Sequence, residues 1–251
     1  QAWLAPEGAV ATWWLVQLQP LRRKAPCLRL PAGTWTLGDR VLPSQAAVGG
    51  GQWVQLPDLT GVAAWPLGYR PRRESATTDP ALAAAMVVDP LRCERLAGPN
   101  GPGWRWSNGH LSALIGADGL EQLWDAEGRP QLAAPLALVR FRDAGEYWDA
   151  WDLAADHRDH PLALVWEGGM ELVARGPLLL QACRRGRLGA SRVRLDLRLL
   201  ASSPWLEVTL AIDWRQRHEL LRLECPLAQP SLRTACDTTG GVIERPAEAL
   251  E

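Results

Sequence analysis

The sequence has almost no lysine: of its 27 basic residues only Lys24 is not arginine, a bias that follows from a GC-rich coding sequence and carries no functional meaning. It has one phenylalanine (Phe141), two tyrosines (Tyr69 and Tyr147) and two methionines. It lacks net charge. With 28 acidic residues and a formal balance of -1, no whole-chain field exists to draw a polyanion or an anionic membrane surface, so nucleic-acid binding is not expected. No apolar run reaches the ~18 to 20 residues that span a bilayer. The five cysteines (Cys27, Cys93, Cys183, Cys225 and Cys236) contain no C-x-x-C pair and are odd in number, which argues against a disulfide framework or a zinc knuckle and for reduced cysteines of a cytoplasmic protein.

Motifs of several enzyme classes are also missing. There is no G-x-x-x-x-G-K-[ST] loop, no G-x-S-x-G elbow and no H-E-x-x-H helix. The start, Gln1-Ala2-Trp3-Leu4-Ala5-Pro6, has neither an initiating Met nor the regions of a signal peptide. The expectation is a piece excised from a longer protein, with Leu250-Glu251 as a cloning scar.

What is present points to strands. The 23 glycines and 20 prolines are spread along the chain, and both break helices and populate turns. From Ser191 to Leu200, Val193, Leu195, Leu197 and Leu199 alternate with Arg192, Arg194, Asp196 and Arg198, the pattern of a half-buried strand. After Ala201-Ser202-Ser203-Pro204 the alternation resumes with Leu206, Val208, Leu210, Ile212 and Trp214, so the two runs should pair antiparallel. A hairpin is expected from His110–Ile115 to Leu120–Trp124 across Ala117-Asp118-Gly119. Two more strands, Glu171–Arg175 and Leu178–Arg184, should flank Gly176-Pro177. The stretch Ala81–Val88 fits helix or strand. The polar, proline-bounded run from Arg70 to Pro80 is the expected linker, dividing a domain of residues 1–75 from one of residues 76–251.

The most enzyme-like cluster is Asp143, Glu146, Trp148, Asp149, Trp151 and Asp152, because paired carboxylates beside indoles are the material of glycosidase chemistry and sugar stacking. In a strand, Trp148 and Asp152 would share one face and Asp149 and Trp151 the other, which favours a structural or interface role. Asp156-His157-Arg158-Asp159-His160 has metal-ligand types but no second ligand pair, and also reads as a polar loop. Arg22-Arg23-Lys24 and Arg184-Arg185-Gly186-Arg187 could hold an anion or be solvated turns. The 14 tryptophans could include a sugar-binding platform, although most should be packing residues.

Four segments in order resemble the C-terminal β region of the glycoside hydrolase family 38 α-mannosidases. Trp106-Ser107-Asn108-Gly109-His110-Leu111 through Gly119-Leu120-Glu121-Gln122-Leu123-Trp124-Asp125 is similar to the opening hairpin of that family's large sandwich. Glu146-Tyr147-Trp148-Asp149-Ala150-Trp151-Asp152-Leu153 is similar to its W-D-A-W-D-I segment. The run from Ile212 to Leu223 resembles D-W-x-E-R-H-x-L-L-K, and Gly241-Val242-Ile243-Glu244-Arg245-Pro246 resembles G-x-I-E-R-P. Upstream, Pro43-Ser44-Gln45 and Pro57-Asp58-Leu59 to Pro66-Leu67-Gly68-Tyr69 look like the smaller sandwich before it.

The resemblance implies an all-β fold, a small β-sandwich followed by a larger galactose-mutarotase-like supersandwich truncated at its C-terminal end. It implies a parent that is a retaining, zinc-dependent hydrolase of terminal α-mannosides, with nucleophile and zinc ligands in domains this sequence does not contain. No catalytic, cofactor or metal residue is therefore assigned here. Trp148, Asp149, Trp151 and Asp152 are the candidates for facing the parent's catalytic domain or a sugar. A free-standing carbohydrate-binding module and a mutarotase-like epimerase using His110, His157, His160 or His218 are the alternatives.

Overall fold

The computed structural model describes residues 11–18, 20–71, 91–98, 101–145, 152–229 and 231–246. Most of the expected linker, the ambiguous Ala81–Val88 stretch, and Trp148, Asp149 and Trp151 lie outside the described residues. The fold is all-β. No helix among the described residues is long and apolar enough to cross a membrane.

Seven strands form the first sandwich: β1 (Ala11–Gln17), β2 (Cys27–Leu30), β3 (Gly33–Leu37), β4 (Arg40–Val41), β5 (Ser44–Ala46), β6 (Gln52–Gln55) and β7 (Ala63–Pro71). They make one antiparallel sheet in the order β1-β7-β3-β4 and another in the order β2-β6-β5. Trp35, Leu42, Val54, Leu56, Leu59 and Leu67 fill the space between them. Trp13 meets Trp35 edge-on with ring centres 5.5 Å apart, the geometry the ring quadrupoles favour. Strand β7 takes in Arg70 and Pro71, the first two residues of the expected linker; Pro71 sits at its last position, where the missing N–H costs least.

The second body comprises β8 (Arg92–Gly98), β9 (Gly101–Ser107), β10 (Leu111–Gly116), β11 (Gly119–Asp125), β12 (Ala137–Arg142), β13 (Pro161–Leu162), β14 (Val165–Trp166), β15 (Glu171–Arg175), β16 (Leu179–Leu188), β17 (Ser191–Leu200), β18 (Leu206–Asp213) and β19 (Glu219–Glu224), followed by a hairpin of β20 (Arg233–Thr238) and β21 (Gly241–Pro246). A β11-β10-β9-β8 sheet faces a β14-β16-β17-β18 sheet, with β15 also paired to β16. Trp104, Trp106, Ala113 and Ile115 from the first meet Leu180, Ala182, Leu195, Leu197 and Leu199 from the second in one core. Alternation therefore placed the inward face of β17 correctly, with Leu197 and Leu199 wholly buried. Strand β18 differs from expectation. It is an edge strand, so Val208 and Ile212 stay 37% and 39% exposed, and the strand ends at Asp213, before Trp214.

Asn108 ties the two sheets together at one end. Its side-chain N–H groups donate to the carbonyls of Leu200 and Ser203, both at 2.7 Å, and its oxygen accepts from the amides of His110 and Leu111, both at 3.1 Å. The residue is wholly buried with every polar atom engaged, so it orders the turn instead of opposing burial. A third sheet, β13-β12-β19, carries the site described next.

Candidate functional site

Of the four residues picked from sequence, Asp152 alone is described. It is exposed, and its carboxylate accepts the amide of Leu153 at 2.9 Å. The carboxylate that organises this region is Asp143, which is 9% exposed. Its Oδ1 accepts the Ala154 amide at 2.8 Å, and its own N–H donates to the carbonyl of His218 at 2.8 Å. These bonds close the neck of the segment that begins after β12 and hold it to the turn before β19. Asp143 and Ala154, which flank the Glu146–Leu153 segment, are thus held to the Ile212–Leu223 segment at His218.

Around that neck the side chains are bonded in a definite order. Arg140 on β12 donates from Nε and Nη2 to the two carboxylate oxygens of Glu219 on β19, each at 2.6 Å. The pair is largely covered, with side-chain exposures of 10% and 14%, and both oxygens of Glu219 are engaged by the guanidinium. His157 sits in a single 3-10 turn (His157–Asp159) with Nδ1 2.7 Å from the carbonyl of Ala154 and Nε2 3.2 Å from Arg222. A carbonyl can only accept and a guanidinium can only donate, so the ring is the neutral tautomer with its proton on Nδ1. Phe141 packs edge-on to it, ring centres 5.5 Å apart.

Beside this network lies a cleft of about 420 Å³ lined by Arg142, Ala144, Gly145, Leu162, Arg217, His218 and Glu219. His218 has φ 53°, in the left-handed region, where His is tolerated better than most non-glycine residues. Among the described residues, the cleft lining offers cationic hydrogen-bond donors and no nucleophile and general-acid pair.

The described residues do not assemble a zinc site. Both ring nitrogens of His157 are committed, His160 bonds Asp156 at 3.0 Å, and no group of three or more potential ligands converges among the described residues. His110 is exposed on the turn between β9 and β10. The expected basic runs are partly paired: Arg22 binds Asp58 at 2.7 Å, Arg187 binds Glu167 at 3.1 Å, and Arg184 lies over the Trp166 ring at 4.5 Å. Among the described tryptophans, Trp14, Trp205 and Trp214 are 55%, 60% and 40% exposed. Trp205 and Trp214 bracket β18, roughly 30 Å apart at ~3.4 Å per residue, too far to sandwich one sugar ring.

Sequence reasoning missed the contact between the two sandwiches. Gln45 on β5 accepts the amides of Leu178 and Leu179 and donates to the carbonyl of Leu179, all at 3.0 Å. Ser202 donates to the carbonyl of Ala25 at 3.0 Å, and the Arg198 guanidinium stacks over Trp53 while binding Glu207. Burial here pushes the Cys27 thiol up to about 12, with Glu207 adding to the shift and Arg198 opposing it. The only sequence signal was the odd polarity of Gln45 and Cys27 beside core positions.

Residues 106–250, more than half of the chain, match the glycosyl hydrolases family 38 C-terminal domain. The chain belongs to this family. Human alpha-mannosidase 2C1 is 30% identical to the glycosyl hydrolase family 38 chain over 148 residues, which is 55% of this chain and 13% of the human protein. A solved glycosyl hydrolase family 38 protein from Enterococcus faecalis superimposes with a TM-score of 0.62 at 11% identity, over 96% of this chain and 35% of that one. An alpha-mannosidase from Enterococcus faecalis V583 gives 0.56 at 10% identity, over 95% and 32%. At these identities the structural likeness concerns the fold. The family 38 chain spans only about a third of the solved relatives and much less of the human one.

Proposed function

We propose that this chain is the non-catalytic C-terminal β region of a retaining, zinc-dependent α-mannosidase, with residues 1–75 and 76–251 as its two sandwich domains. The nucleophile, the acid/base group and the zinc ligands belong to the remainder of the parent, and this region packs against that catalytic part and shapes it. Trp148, Asp149, Trp151 and Asp152 face the catalytic part or its α-mannoside substrate. The parent works in the cytoplasm, without nucleic-acid or membrane partners. Family membership supports the parent's reaction class.

The observation that supports the non-catalytic role is the state of the described carboxylates beside the cleft, Asp143 and Glu219. A retaining glycosidase needs two carboxyl groups ~5 Å apart and both free to act. Here Asp143 is spent on a backbone amide and Glu219 on a bidentate arginine. The purified chain, assayed with an aryl α-mannoside in the presence of zinc, is expected to give no turnover above background. Turnover that survives repurification overturns the reading, the more so if Glu219→Gln abolishes it.

A further inference from the structure

We propose that the cleft between β12 and β19 is a binding site for an oxyanion, a phosphate or a carboxylate, held by Arg142 and Arg217. The proposal does not depend on the parent's being a mannosidase.

Three features of the cleft support it. First, two cations of the lining have no charge partner among the described residues. Arg142 and Arg217 line the cavity, and neither side chain donates to a partner among the described residues. Their neighbours differ: Arg140 is bound to Glu219, Arg215 to Asp213 at 3.0 Å, and Arg222 to His157 and, at 3.5 Å, to Glu224. Glu219 is the one carboxylate among the described lining residues, and it stands opposite Arg142 in the strand register. Its two oxygens are already taken by Arg140, so it cannot neutralise either cation. The described lining therefore presents two guanidinium groups that no described carboxylate pairs with.

Second, the chemistry of the donors suits an anion. A guanidinium presents a planar fork of N–H groups that matches the paired oxygens of phosphate or carboxylate. Third, the cleft has room. At about 420 Å³ it lies within the range of small-ligand sites, and Ala144 and Gly145 contribute little side-chain bulk to its wall. The wall opposite is made by His218, whose left-handed backbone is held by the bond from the Asp143 amide to its carbonyl. Non-glycine residues held in that region often mark working sites.

One chemistry has two possible sources, a free anion or an acidic side chain of a protein segment. Calorimetry at low ionic strength should therefore use inorganic phosphate in one arm and an end-capped tetraglutamate peptide in the other. Binding is expected in at least one arm, weakened severalfold by Arg142→Gln or Arg217→Gln and at least tenfold by the double variant. Arg95→Gln, an equal charge change on an exposed residue of β8 that does not line the cleft, should leave it unchanged. Phosphate binding alone identifies a free anion as the ligand, and peptide binding alone identifies a protein carboxylate. No binding in either arm, or binding that the double variant keeps, overturns the proposal. Both arginines are exposed, so the variants are expected to fold, which circular dichroism and the thermal midpoint check.

Discussion

The guanidinium of Arg198 lies 4.5 Å from the centre of the Trp53 ring while its Nε donates to Glu207 at 2.6 Å. One side chain from the large sandwich thus joins a ring of the small sandwich to a carboxylate of the neighbouring strand. A partly desolvated cation over an indole is worth about 1 to 2 kcal/mol. Trp53→Ala and Arg198→Ala should each lower stability in urea by at least that amount. Their double-mutant cycle should return a coupling of about 1 kcal/mol, and Arg198→Lys should recover less than half of the loss because it lacks the planar fork.

Gln45 makes the second connection, and the space around it is full. A Cβ added at Gly176 would come within 2.5 Å of the Gln45 amide carbon. Gln45→Ala removes three hydrogen bonds to the Leu178–Leu179 backbone and should cost about 2 to 3 kcal/mol. Gly176→Ala should also destabilise, by displacing the same side chain. The double variant should cost clearly less than the sum of the two, measured by chemical denaturation, since both act on one contact.

These contacts mark the limit of what was legible in the sequence. Alternation fixes which face of β17 turns inward, because side chains change sides with every residue, and it fixed Val193 to Leu199. It says nothing about what lies on the other face. Arg198 reads as a solvated charge, yet its side chain is only 23% exposed because Trp53, distant in sequence, covers it. Period-2 patterning likewise made β18 look like β17, although its edge position leaves Val208 and Ile212 partly open. The neck residue Asp143 and the cleft arginines depend on a pairing of β12 with β19 across about 80 residues, which no local pattern encodes.

Asn108 offers a test with a pH signature. In Asn108→Asp, a carboxylate oxygen would replace the amide nitrogen that now sits 2.7 Å from two carbonyl oxygens. Ionisation there is opposed, so the folded-state pKa of the new carboxyl rises above its unfolded value of about 3.9. A raised acid pKa means stability is retained below the unfolded value and lost as pH climbs through the window above it. The variant should be less stable than the parent sequence by about 3 kcal/mol or more at pH 7. The gap should narrow by pH 4, and a gap independent of pH would count against this account.

Cys27 reports on the same inter-sandwich contact by chemistry. Only the thiolate is alkylated, and burial holds the Cys27 thiol near 12, so at pH 8 almost none is ionised in the folded protein. Cys225 is exposed and should react first with iodoacetamide, whereas Cys27 should react at least tenfold more slowly until denaturant is added. The same shift has a stability consequence. The folded form keeps its proton where the unfolded thiol, at about 8.5, has lost it, so this contribution is intact below that pH and declines as pH rises toward 12. Arg198→Ala removes a cation that favours the thiolate, which alone would slow labelling, but it also opens the contact that buries the sulfur. Desolvation is the larger cause of the shift, so the net expectation is faster labelling of Cys27 in Arg198→Ala and in Gln45→Ala, read by peptide mass spectrometry. Unchanged labelling in both variants would mean that the sulfur is shielded within the small sandwich itself, not by the contact between the two.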